Sequence, residues 1–574
     1  MTVCPLIIAS AQANTAAMLT ETGGNRKKLA LFALAALVGR MLIAFADASG
    51  AQATENPLPY LARNAGRHAL FVDGAPFLIL GAQCHNSSAW PSMLPKVWPA
   101  IDFLHANTLE IPVYWEQFEP EPAKFDTTVV DTLLKQARLH KVRLVLLWFA
   151  TWKNGSSHYM PLWMKSQPDK FPRIIGRNGS RVDSPSPLAP ATLEADARAF
   201  TALMRHLKSA DPQHTVIMVQ VENEPGSWGS VRDFSPQAEK LFNAPVPPDL
   251  LKAIGPNAPS AGNWREVFGT NADEFFHAWH VARFIGQVAA AGKAVYPLPM
   301  YVNAALRDPL TPGPADSYES GGATDNVLWI WKAAAPAIDL LAPDIYQNDS
   351  ARYRKVLELY SRPDNALFVP ETRGNGPAAR LCFGALGRGA IGWSPFGLDF
   401  TAYASEPIGA PRLTEDSLTP VAQNYKMLEP IMREVARLNF QGSVQAVAEE
   451  PDESLQTLDF GNWKALVSYG AAPRSRTGAP TGNSQPVGRA LVARTAENQF
   501  WVTGLYCRVD FQPASGAHRD FLRVDEVAVA QSSKSGDSAQ NDYRFLRIWN
   551  GDETDWGLNF SSAPQTLRVV LGTY

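Results

Sequence analysis

The main pattern of this sequence is a series of eight short, mostly apolar runs that are separated by stretches with helical periodicity. The runs cover residues 77–81, 108–113, 143–148, 216–221, 295–302, 340–346, 367–369 and 389–393. Runs of this kind are typical of strands that are buried on both faces of a parallel sheet. Eight strand–helix units close a barrel. We therefore expect an α/β fold, a (β/α)₈ TIM barrel.

Two further segments complete the predicted barrel. The Pro- and Gly-rich stretch Ser227–Asn263 would be a long insertion after the fourth strand. Residues 271–292 would form the helix that returns from it, with Asn271 as the N-cap. A helix from about residue 421 to residue 438 would close the eighth unit.

The pattern of apolar and polar residues changes after residue 442. Short alternating segments such as Phe500–Phe511 are separated by loops rich in Gly, Pro and Ser, such as Ala471–Gly488. This pattern is typical of a β-sandwich. The sequence thus predicts a catalytic barrel over residues 54–442 and a C-terminal β-sandwich domain over residues 443–574.

Residues 1–53 have the pattern of a secretory leader. Arg26-Lys27-Lys28 precedes the apolar run Leu29–Val38, and small residues with A-x-A spacing follow at Ala44–Ala46 and Ala51–Ala53. Arg40 interrupts the apolar stretch well short of the roughly 20 residues that a membrane span needs. We expect export to the periplasm or the medium, and we rank a membrane anchor below it. No later segment is apolar over such a length, so no stable membrane span is expected.

The composition and the residue spacing of the chain argue against nucleic acid and metal ions as ligands. Lys and Arg number 52 against 55 Asp and Glu, a net charge of −3, so the basic surplus of a nucleic-acid-binding protein is missing. The four cysteines show no C-x-x-C pair and no metal-ligand spacing. His277 and His280 have the spacing of a metal pair, but no third ligand is nearby in sequence, so we expect a helix surface and no metal site.

Two of the predicted strands run directly into carboxylates. The fourth continues into Gln220–Gly226, which contains Glu222 and Glu224, and the seventh continues into Phe368–Gly374, which contains Glu371. Active sites of this fold are built at the C-terminal ends of the strands. Two carboxyl groups that converge on one pocket there are the apparatus of glycoside hydrolysis, one as proton donor and one as nucleophile.

Several stretches around these carboxylates resemble one enzyme family. The stretches are Phe71–Gly81, Asn107–Trp115, Phe118–Pro122 and Val219–Pro225. They resemble the family 35 glycoside hydrolases, which are β-galactosidases of the large clan of retaining (β/α)₈ glycosidases. The interrupted resemblance covers about residues 65 to 400.

The resemblance implies roles for three residues. Glu224, the Glu of the Asn-Glu pair, would be the acid/base, and Glu371 would be the nucleophile. Asn223 would contact the 2-hydroxyl of the sugar. A hydrolase of this kind needs no cofactor, and retention predicts roughly 5–5.5 Å between the two carboxyl groups.

The chain departs from the family pattern at two places. Pro225 stands where many members have Tyr, and Leu147–Trp152 replaces an Arg-Pro-Gly-Pro-Tyr type of loop after the third strand. The chain therefore resembles a divergent bacterial branch, and the departures fall on the leaving-group side of the site.

Side chains at the ends of other strands are further candidates for the site. Tyr346 ends the sixth strand and could donate its hydroxyl to Glu371, which would hold the nucleophile ionised. Trp393 ends the eighth strand, where an indole floor under the sugar would lie. The remaining candidates for contact with the sugar follow the first, second, third and fifth strands, and they are His85, Glu116, Trp148 and Asn303.

These observations predict a retaining exo-β-galactosidase that acts on terminal β-D-galactosyl residues of oligo- or polysaccharides. A second interpretation is another retaining glycosidase of the same clan, one that cleaves β-mannosidic or β-glucosidic bonds. A third is a sugar-binding barrel without catalytic activity, which the presence of both carboxylates opposes.

Overall fold

The structure, a computed structural model, describes residues 56–256, 259, 261–347, 349–401, 413–470, 479–529 and 543–574. The predicted leader, residues 1–53, lies outside the described residues. Within the described ranges, no helix is both long enough and apolar enough to cross a membrane.

Eight parallel strands close into a barrel, and their order around the ring follows the chain, with the eighth strand paired to the first. They are β1 (Ile79–Gln83), β2 (Thr108–Tyr114), β3 (Arg143–Lys153), β4 (Val216–Asn223), β5 (Met300–Ala305), β6 (Leu340–Ile345), β7 (Val369–Thr372) and β8 (Gly392–Pro395). Every residue of β2 and of β4 is buried, because the barrel interior covers one face and helices cover the other. The predicted (β/α)₈ fold is confirmed.

One main helix follows each barrel strand. These helices are α1 (Leu94–Leu104), α2 (Thr128–His140), α3 (Pro190–Ala210), α4 (Ala272–Lys293), α5 (Leu328–Ala334), α6 (Ser350–Tyr360), α7 (Leu381–Gly387) and α8 (Glu415–Leu428). Short helices and 3₁₀ turns occupy the connections at Trp115–Phe118, Leu162–Lys165, Pro236–Phe242, Pro248–Ile254, Trp264–Phe268, Gly269–Asn271 and Gly376–Ala379. The predicted insertion after β4 therefore contains helical turns of its own.

Some boundaries differ from the prediction. The fifth strand was expected over residues 295–302 and occupies Met300–Ala305. Asn271 does precede α4, but its side chain makes no capping hydrogen bond. The single helix expected over residues 421–438 is split into α8 and α9 (Met432–Phe440) by a 3₁₀ turn at Glu429–Ile431. Pro430 lies in that turn and lacks the amide that a continuous helix requires.

The C-terminal part consists of two antiparallel sheets, as the sequence predicts. Its strands are β9 (Val444–Ala448), β10 (Leu455–Asp459), β11 (Trp463–Tyr469), β12 (Arg489–Ala496), β13 (Gln499–Leu505), β14 (Cys507–Pro513), β15 (Arg519–Val529), β16 (Tyr543–Ile548), β17 (Leu558–Phe560) and β18 (Gln565–Thr573). One sheet has the order β9-β12-β13-β18-β15-β16 and the other β10-β11-β14-β17. Aromatic residues including Trp463, Phe500 and Phe511 form a core between them.

The larger of these sheets also packs against the barrel helices. Leu491 and Trp501 belong to the same buried cluster as the barrel residues. Arg489 is buried and donates from Nε to Asn424 Oδ1 on α8 at 2.7 Å. Residues 56–574 form one compact unit, so the domain boundary at residue 443 stays a prediction.

Two small sheets complete the described part. Tyr60–Asn64, Arg67–Val72 and Ala75–Phe77 form an antiparallel three-stranded sheet before the barrel, and Arg173–Ile175 pairs with Arg181–Pro185 in the loop after β3. Cys84, Cys382 and Cys507 are buried free thiols.

Candidate active site

The end of β4 carries two glutamates in an unusual backbone conformation. Glu222 has a φ of 66° and Glu224 a φ of 42°, in the left-handed region that L-residues rarely occupy. Both side chains are buried. Such strain persists only where surrounding contacts hold it, and it is frequent at functional sites.

Glu222 and Glu224 have different surroundings. Glu222 Oε2 accepts a hydrogen bond from the Trp152 amide at 2.7 Å, and the carboxyl faces Asp196 of α3. Burial first, and then the charge of Asp196, raise the pKa of Glu222 well above its usual range. Glu222 is therefore part of a proton-sharing carboxyl pair, separate from the group that surrounds Glu224.

Glu371 lies within β7 and is held from both sides. The Tyr346 hydroxyl donates to Glu371 Oε1, which is the contact expected from the sequence. Gln83, the last residue of β1, donates from Nε2 to Glu371 Oε2 at 3.1 Å. Both carboxyl oxygens of Glu371 thus accept a hydrogen bond, and the orientation of the group is set.

A third carboxyl joins these two. Glu224, Glu371 and Asp344 of β6 each place one oxygen within 4.8 Å of the others. Asp344 pairs with Glu371 across the strands β6 and β7, which explains why the two side chains lie side by side. We call Glu224, Asp344 and Glu371 the carboxyl cluster.

Asn303 at the end of β5 connects two members of this cluster. Its Oδ1 accepts from the Glu224 amide at 2.8 Å, and its Nδ2 donates to Asp344 Oδ2 at 2.7 Å. Asn303 is fully buried. These bonds give Asn303 a positioning role in the cluster, and its predicted contact with sugar hydroxyls stays a prediction.

The electrostatics of the cluster favour a proton on Glu224 near neutral pH. Burial, and next the charge of Glu371, raise the pKa of Glu224 to about 7. Lys153, the buried last residue of β3, acts in the opposite direction. Glu319 is a fourth buried carboxyl nearby, and its pKa is also raised well above the usual range, by burial and then by the charge of Glu224.

Asn223, the residue before Glu224, is fully buried. Neither its Oδ1 nor its Nδ2 has a hydrogen-bond partner among the described residues. Leaving a buried amide unpaired is unfavourable, so such a group suits contact with a ligand. Its predicted role at the 2-hydroxyl stays a prediction.

Two tryptophans predicted to contact the sugar point elsewhere. Trp148 is fully buried and contacts two residues of α3. Its Nε1 donates to Asp196 Oδ1 at 2.9 Å, and its ring packs against Phe200. Trp393 is buried and donates from Nε1 to the Tyr353 hydroxyl of α6 at 3.0 Å. Alternate residues of a strand face opposite sides, and these two indoles occupy the side that faces the helices. Both indoles thus lie away from the carboxyl cluster, and contact of Trp148 and Trp393 with the sugar stays a prediction that this geometry does not favour.

Glu116 is also separated from the cluster. It lies in the short helix Trp115–Phe118 after β2, where its exposed carboxylate faces Lys165 at 3.6 Å. His85 follows β1, is buried, and contacts Asp399 through Nδ1 at 3.0 Å. The ring of Phe396, which follows β8 and is partly exposed, packs edge to face on His85.

The sequence did not single out Gln83, Lys153, Asp344 and Glu319. The first three share a signal that could have been used, since each is a polar residue in the last two positions of a mostly apolar barrel strand. Glu319 lies in a loop and offers no such signal.

The carboxyl cluster is the group of acidic residues in the described ranges whose oxygens are close enough to hold a cation. Hydrogen-bond donors of the protein already contact its carboxyl oxygens. Tyr346 and Gln83 donate to Glu371, and Asn303 donates to Asp344. His277 is buried and contacts the Ser227 hydroxyl, and burial lowers its pKa to about 3.

The loops after β3, β4 and β5 form a wall beside Glu224. The Gly155 amide donates to the carbonyl of Glu224 at 3.0 Å, and Ser227 and Ser320 exchange backbone hydrogen bonds of 2.9 and 3.1 Å. These loops also line a separate cavity of about 700 Å³, bounded by residues that include Arg177, Asp273, Arg307 and Tyr318. No member of the carboxyl cluster lines that cavity.

A family model described as a domain of unknown function, DUF5597, matches residues 421–561. A search of curated proteins found no match.

Solved structures to which this chain shows some similarity include two β-galactosidases and a mannosidase. The β-galactosidase from Bacillus circulans sp. alkalophilus has 13% identity and a TM-score of 0.45, and the alignment covers 62% of this chain and 57% of that one. The β-galactosidase from Rahnella sp. R3 has 16% identity and a TM-score of 0.45, with coverage of 63% and 58%. The exo-β-1,4-mannosidase Op5Man5 from Opitutaceae bacterium strain TAV5 has 18% identity and a TM-score of 0.34, with coverage of 58% and 53%. The chain thus spans less than two thirds of each of these proteins.

Proposed function

We propose that the protein is a retaining exo-β-galactosidase that removes terminal β-D-galactosyl residues, with Glu371 as nucleophile and Glu224 as acid/base. The observation that carries the proposal is a pair of buried carboxyls at the ends of β4 and β7 in unlike surroundings. Burial, and next the charge of Glu371, raise the pKa of Glu224 to about 7, whereas Glu371 accepts hydrogen bonds on both oxygens. Carboxyls whose surroundings separate their protonation states suit acid and nucleophile roles.

The separation of the two carboxyls supports retention. One oxygen of Glu224 lies within 4.8 Å of one oxygen of Glu371. Inverting enzymes hold their carboxyls about 6.5–9.5 Å apart to admit a water, whereas retaining enzymes hold them at about 5–5.5 Å. The short gap leaves Glu371 to attack the anomeric carbon directly.

In the first step, a Glu371 oxygen bonds to the anomeric carbon while the glycosidic C–O bond breaks. Glu224 gives its proton to the departing oxygen, and the products are a galactosyl ester of Glu371 and a Glu224 carboxylate. In the second step, Glu224 takes a proton from water and the resulting hydroxide oxygen attacks the same carbon. The ester bond then breaks, and Glu371 and Glu224 return to their first states.

The galactosyl preference and the exo mode have separate support. The preference rests on the resemblance of Phe71–Gly81, Asn107–Trp115 and Val219–Pro225 to family 35. The exo mode requires a cleft closed at one end, and the wall formed by the loops after β3, β4 and β5 supports it. Export by the predicted leader at residues 1–53 remains part of the proposal.

The stereochemistry of azide products tests the two roles. In Glu224→Ala, an activated aryl β-galactoside still forms the ester, so we expect a burst of aryl alcohol followed by slow turnover. Azide needs no base, and it should speed that turnover and yield the β-galactosyl azide. In Glu371→Ala, azide should enter from the vacated face and yield the α-azide.

Glu358→Ala is the matched control, because Glu358 is an exposed carboxylate of α6 that pairs with Lys355. It should keep the wild-type rate and give no azide product. If Glu224→Ala gave the α-azide and Glu371→Ala the β-azide, the two residues would have the opposite roles. Initial release of α-galactose by the wild type, followed by NMR, would rule out retention.

A panel of aryl β-galactosides, β-mannosides and β-glucosides tests the substrate class. We expect the highest kcat/KM on the galactoside. A higher value on the mannoside or the glucoside would select the second interpretation, and binding without hydrolysis would select a sugar-binding barrel.

A further inference from the structure

The third carboxyl of the cluster, Asp344, has no part in the two-carboxyl mechanism above. It is 3% exposed and lies next to Glu371 in the pairing of β6 with β7. A charged carboxylate at this place would repel both the nucleophile and the ionised form of the acid. The position of Asp344 therefore calls for a role compatible with a neutral side chain.

The hydrogen bonds of Asp344 divide its two oxygens. Oδ2 accepts from Asn303 Nδ2 at 2.7 Å. Oδ1 is buried and receives no hydrogen bond from the described residues. One oxygen of Asp344 lies within 4.8 Å of one oxygen of Glu224. A hydrogen bond between two carboxyl groups requires a proton on one of them. Because Oδ2 already accepts from Asn303, Oδ1 is the oxygen of Asp344 that is left to carry such a proton.

The charges around the pair favour a proton on Asp344. Burial first, then the charges of Glu371 and Glu224, raise the pKa of Asp344 well above its usual range. Lys153 is the cation that opposes this shift. The titratable groups that face the pair come from β3, β5, β6, β7 and the loop after β5, and they are Lys153, Tyr301, Tyr346, Glu371 and Glu319.

We propose that Asp344 is a neutral hydrogen-bond donor to Glu224, which stabilises the carboxylate that Glu224 becomes when it protonates the leaving group. The proposal rests on the proposed function, in which Glu224 is the acid/base. Asp344 is a positioning residue, because it acts on Glu224 rather than on the sugar.

The proton balance of the step is simple. The Glu224 proton moves to the leaving oxygen, while the Asp344 proton stays on Oδ1 and its hydrogen bond to Glu224 shortens. Hydrogen bonds to ionised groups are roughly twice as strong as those between neutral groups. The interaction is therefore stronger as the charge develops than in the ground state, which lowers the barrier. In the second step Glu224 takes a proton from water and becomes neutral again, Asp344 keeps its own proton, and the hydrogen bond between them returns to its first length.

Two variants of Asp344 test whether the residue acts as a neutral hydrogen-bond donor to Glu224. In Asp344→Asn, Oδ1 of the new amide can accept from Asn303 and Nδ2 can donate to Glu224, so a neutral donor is kept. In Asp344→Ala, the donor is lost. The measurement is the pH dependence of kcat/KM on a β-galactoside with a poor leaving group.

We expect Asp344→Ala to lose about 10- to 100-fold in kcat/KM, the effect of one hydrogen bond to a charged group. Its alkaline limb should move to higher pH, because a donor favours the ionised form of Glu224 and its removal raises the pKa of Glu224. Asp344→Asn should keep most of the rate and a limb near that of the wild type. Equal losses in both variants, or an unmoved limb in Asp344→Ala, would overturn the proposal.

A spectroscopic measurement needs no turnover. The wild type should show the infrared carbonyl band of a protonated carboxyl at neutral pH, and Asp344→Asn should lack the part of that band that Asp344 contributes. If Asp344→Asn lost no part of this band, Asp344 would be ionised in the wild type. That result would overturn the proposal even in an active enzyme. If the wild type hydrolysed no glycoside yet showed the band, the proposed function would fail while the protonation of Asp344 stood.

Discussion

At the scale of single residues, protonation in the candidate site is set by what each carboxyl contacts. Glu224 is buried beside Glu371 and has a pKa raised to about 7. Glu371 receives hydrogen bonds from Tyr346 and Gln83. Two residues of one type thus acquire different chemistry from their neighbours, and none of these neighbours is adjacent to them in the chain.

The first prediction at this scale concerns pH. Glu224 must carry a proton to act as the acid, so kcat/KM should fall as the pH rises through about 7. In Glu371→Gln the neighbouring negative charge is removed, so the pKa of Glu224 should decrease. NMR titration of the labelled glutamate carbons measures the pKa of Glu224 in the wild type and in the variant. An unchanged or increased pKa of Glu224 would contradict the electrostatic coupling.

The second prediction concerns Tyr346. Tyr346→Phe removes the donor to Glu371 Oε1 and leaves the ring in place. A hydrogen bond to a charged group contributes about 1.5–3 kcal/mol, so we expect kcat/KM to drop by about 10- to 100-fold. Tyr60→Phe, in the sheet before the barrel, is the control and should keep the wild-type rate. Equal rates in both variants would show that the hydroxyl does not act on the nucleophile.

At the scale of elements, the loops after β3, β4 and β5 determine the shape of the site on the Glu224 side. Gly226 has a φ of 150°, and a Cβ there would lie 2.6 Å from the Ser320 carbonyl oxygen. Close approach of the two loops thus requires glycine at this position. The exchange of backbone hydrogen bonds between Ser227 and Ser320 depends on it.

Substitution of this glycine should separate the two loops. Gly226→Ala should reduce both the thermal midpoint and kcat, because the added methyl meets the backbone of Ser320 and Gly322. Gly229→Ala is the matched control, since Gly229 also has a positive φ, 77°, but a Cβ there meets no atom closer than 3.8 Å. The control should lose only about 1 kcal/mol of stability from backbone strain. If both variants lost equal activity, strain alone would explain the effect.

At the scale of the whole molecule, the C-terminal sheets are joined to the barrel through α8. Arg489 on β12 donates to Asn424 Oδ1, and its Nη2 donates to the Pro420 carbonyl at 3.1 Å. The Thr566 hydroxyl of β18 donates to the Met427 carbonyl at 2.6 Å. The bonds to Asn424 and Met427 are buried and the bond to Pro420 is partly buried, so their loss should destabilise the packing of the sheet on α8.

The corresponding prediction compares two arginines of the same sheet. Arg489→Met should lower the free energy of unfolding by about 3 kcal/mol, because buried acceptors on α8 lose their donor. Arg568→Met removes a half-exposed arginine, and its buried partner Asp525 keeps an ion pair with Arg523, so the variant should cost less than about 1 kcal/mol. Urea unfolding measures both, and equal losses would contradict a structural role for the buried arginine.

Sequence reasoning alone predicts the barrel, the C-terminal sheets and the strand ends on which Glu224 and Glu371 lie. Continuous apolar runs reflect burial on both faces of a parallel strand, and a polar residue that ends such a run must lie at the open end of the barrel. These signals are local. The donation of Tyr346 to Glu371 also followed from them, because both residues lie at the ends of neighbouring strands.

The folded chain is needed to show which side of a strand each side chain faces and which side chains come into contact. Trp148 and Trp393 occupy strand ends in the sequence, yet both indoles contact the helices. Asp344 lies in β6, 120 residues after Glu224, and only closure of the ring brings their carboxyls together. The stagger of the barrel strands sets these contacts, and that stagger depends on all eight strands at once.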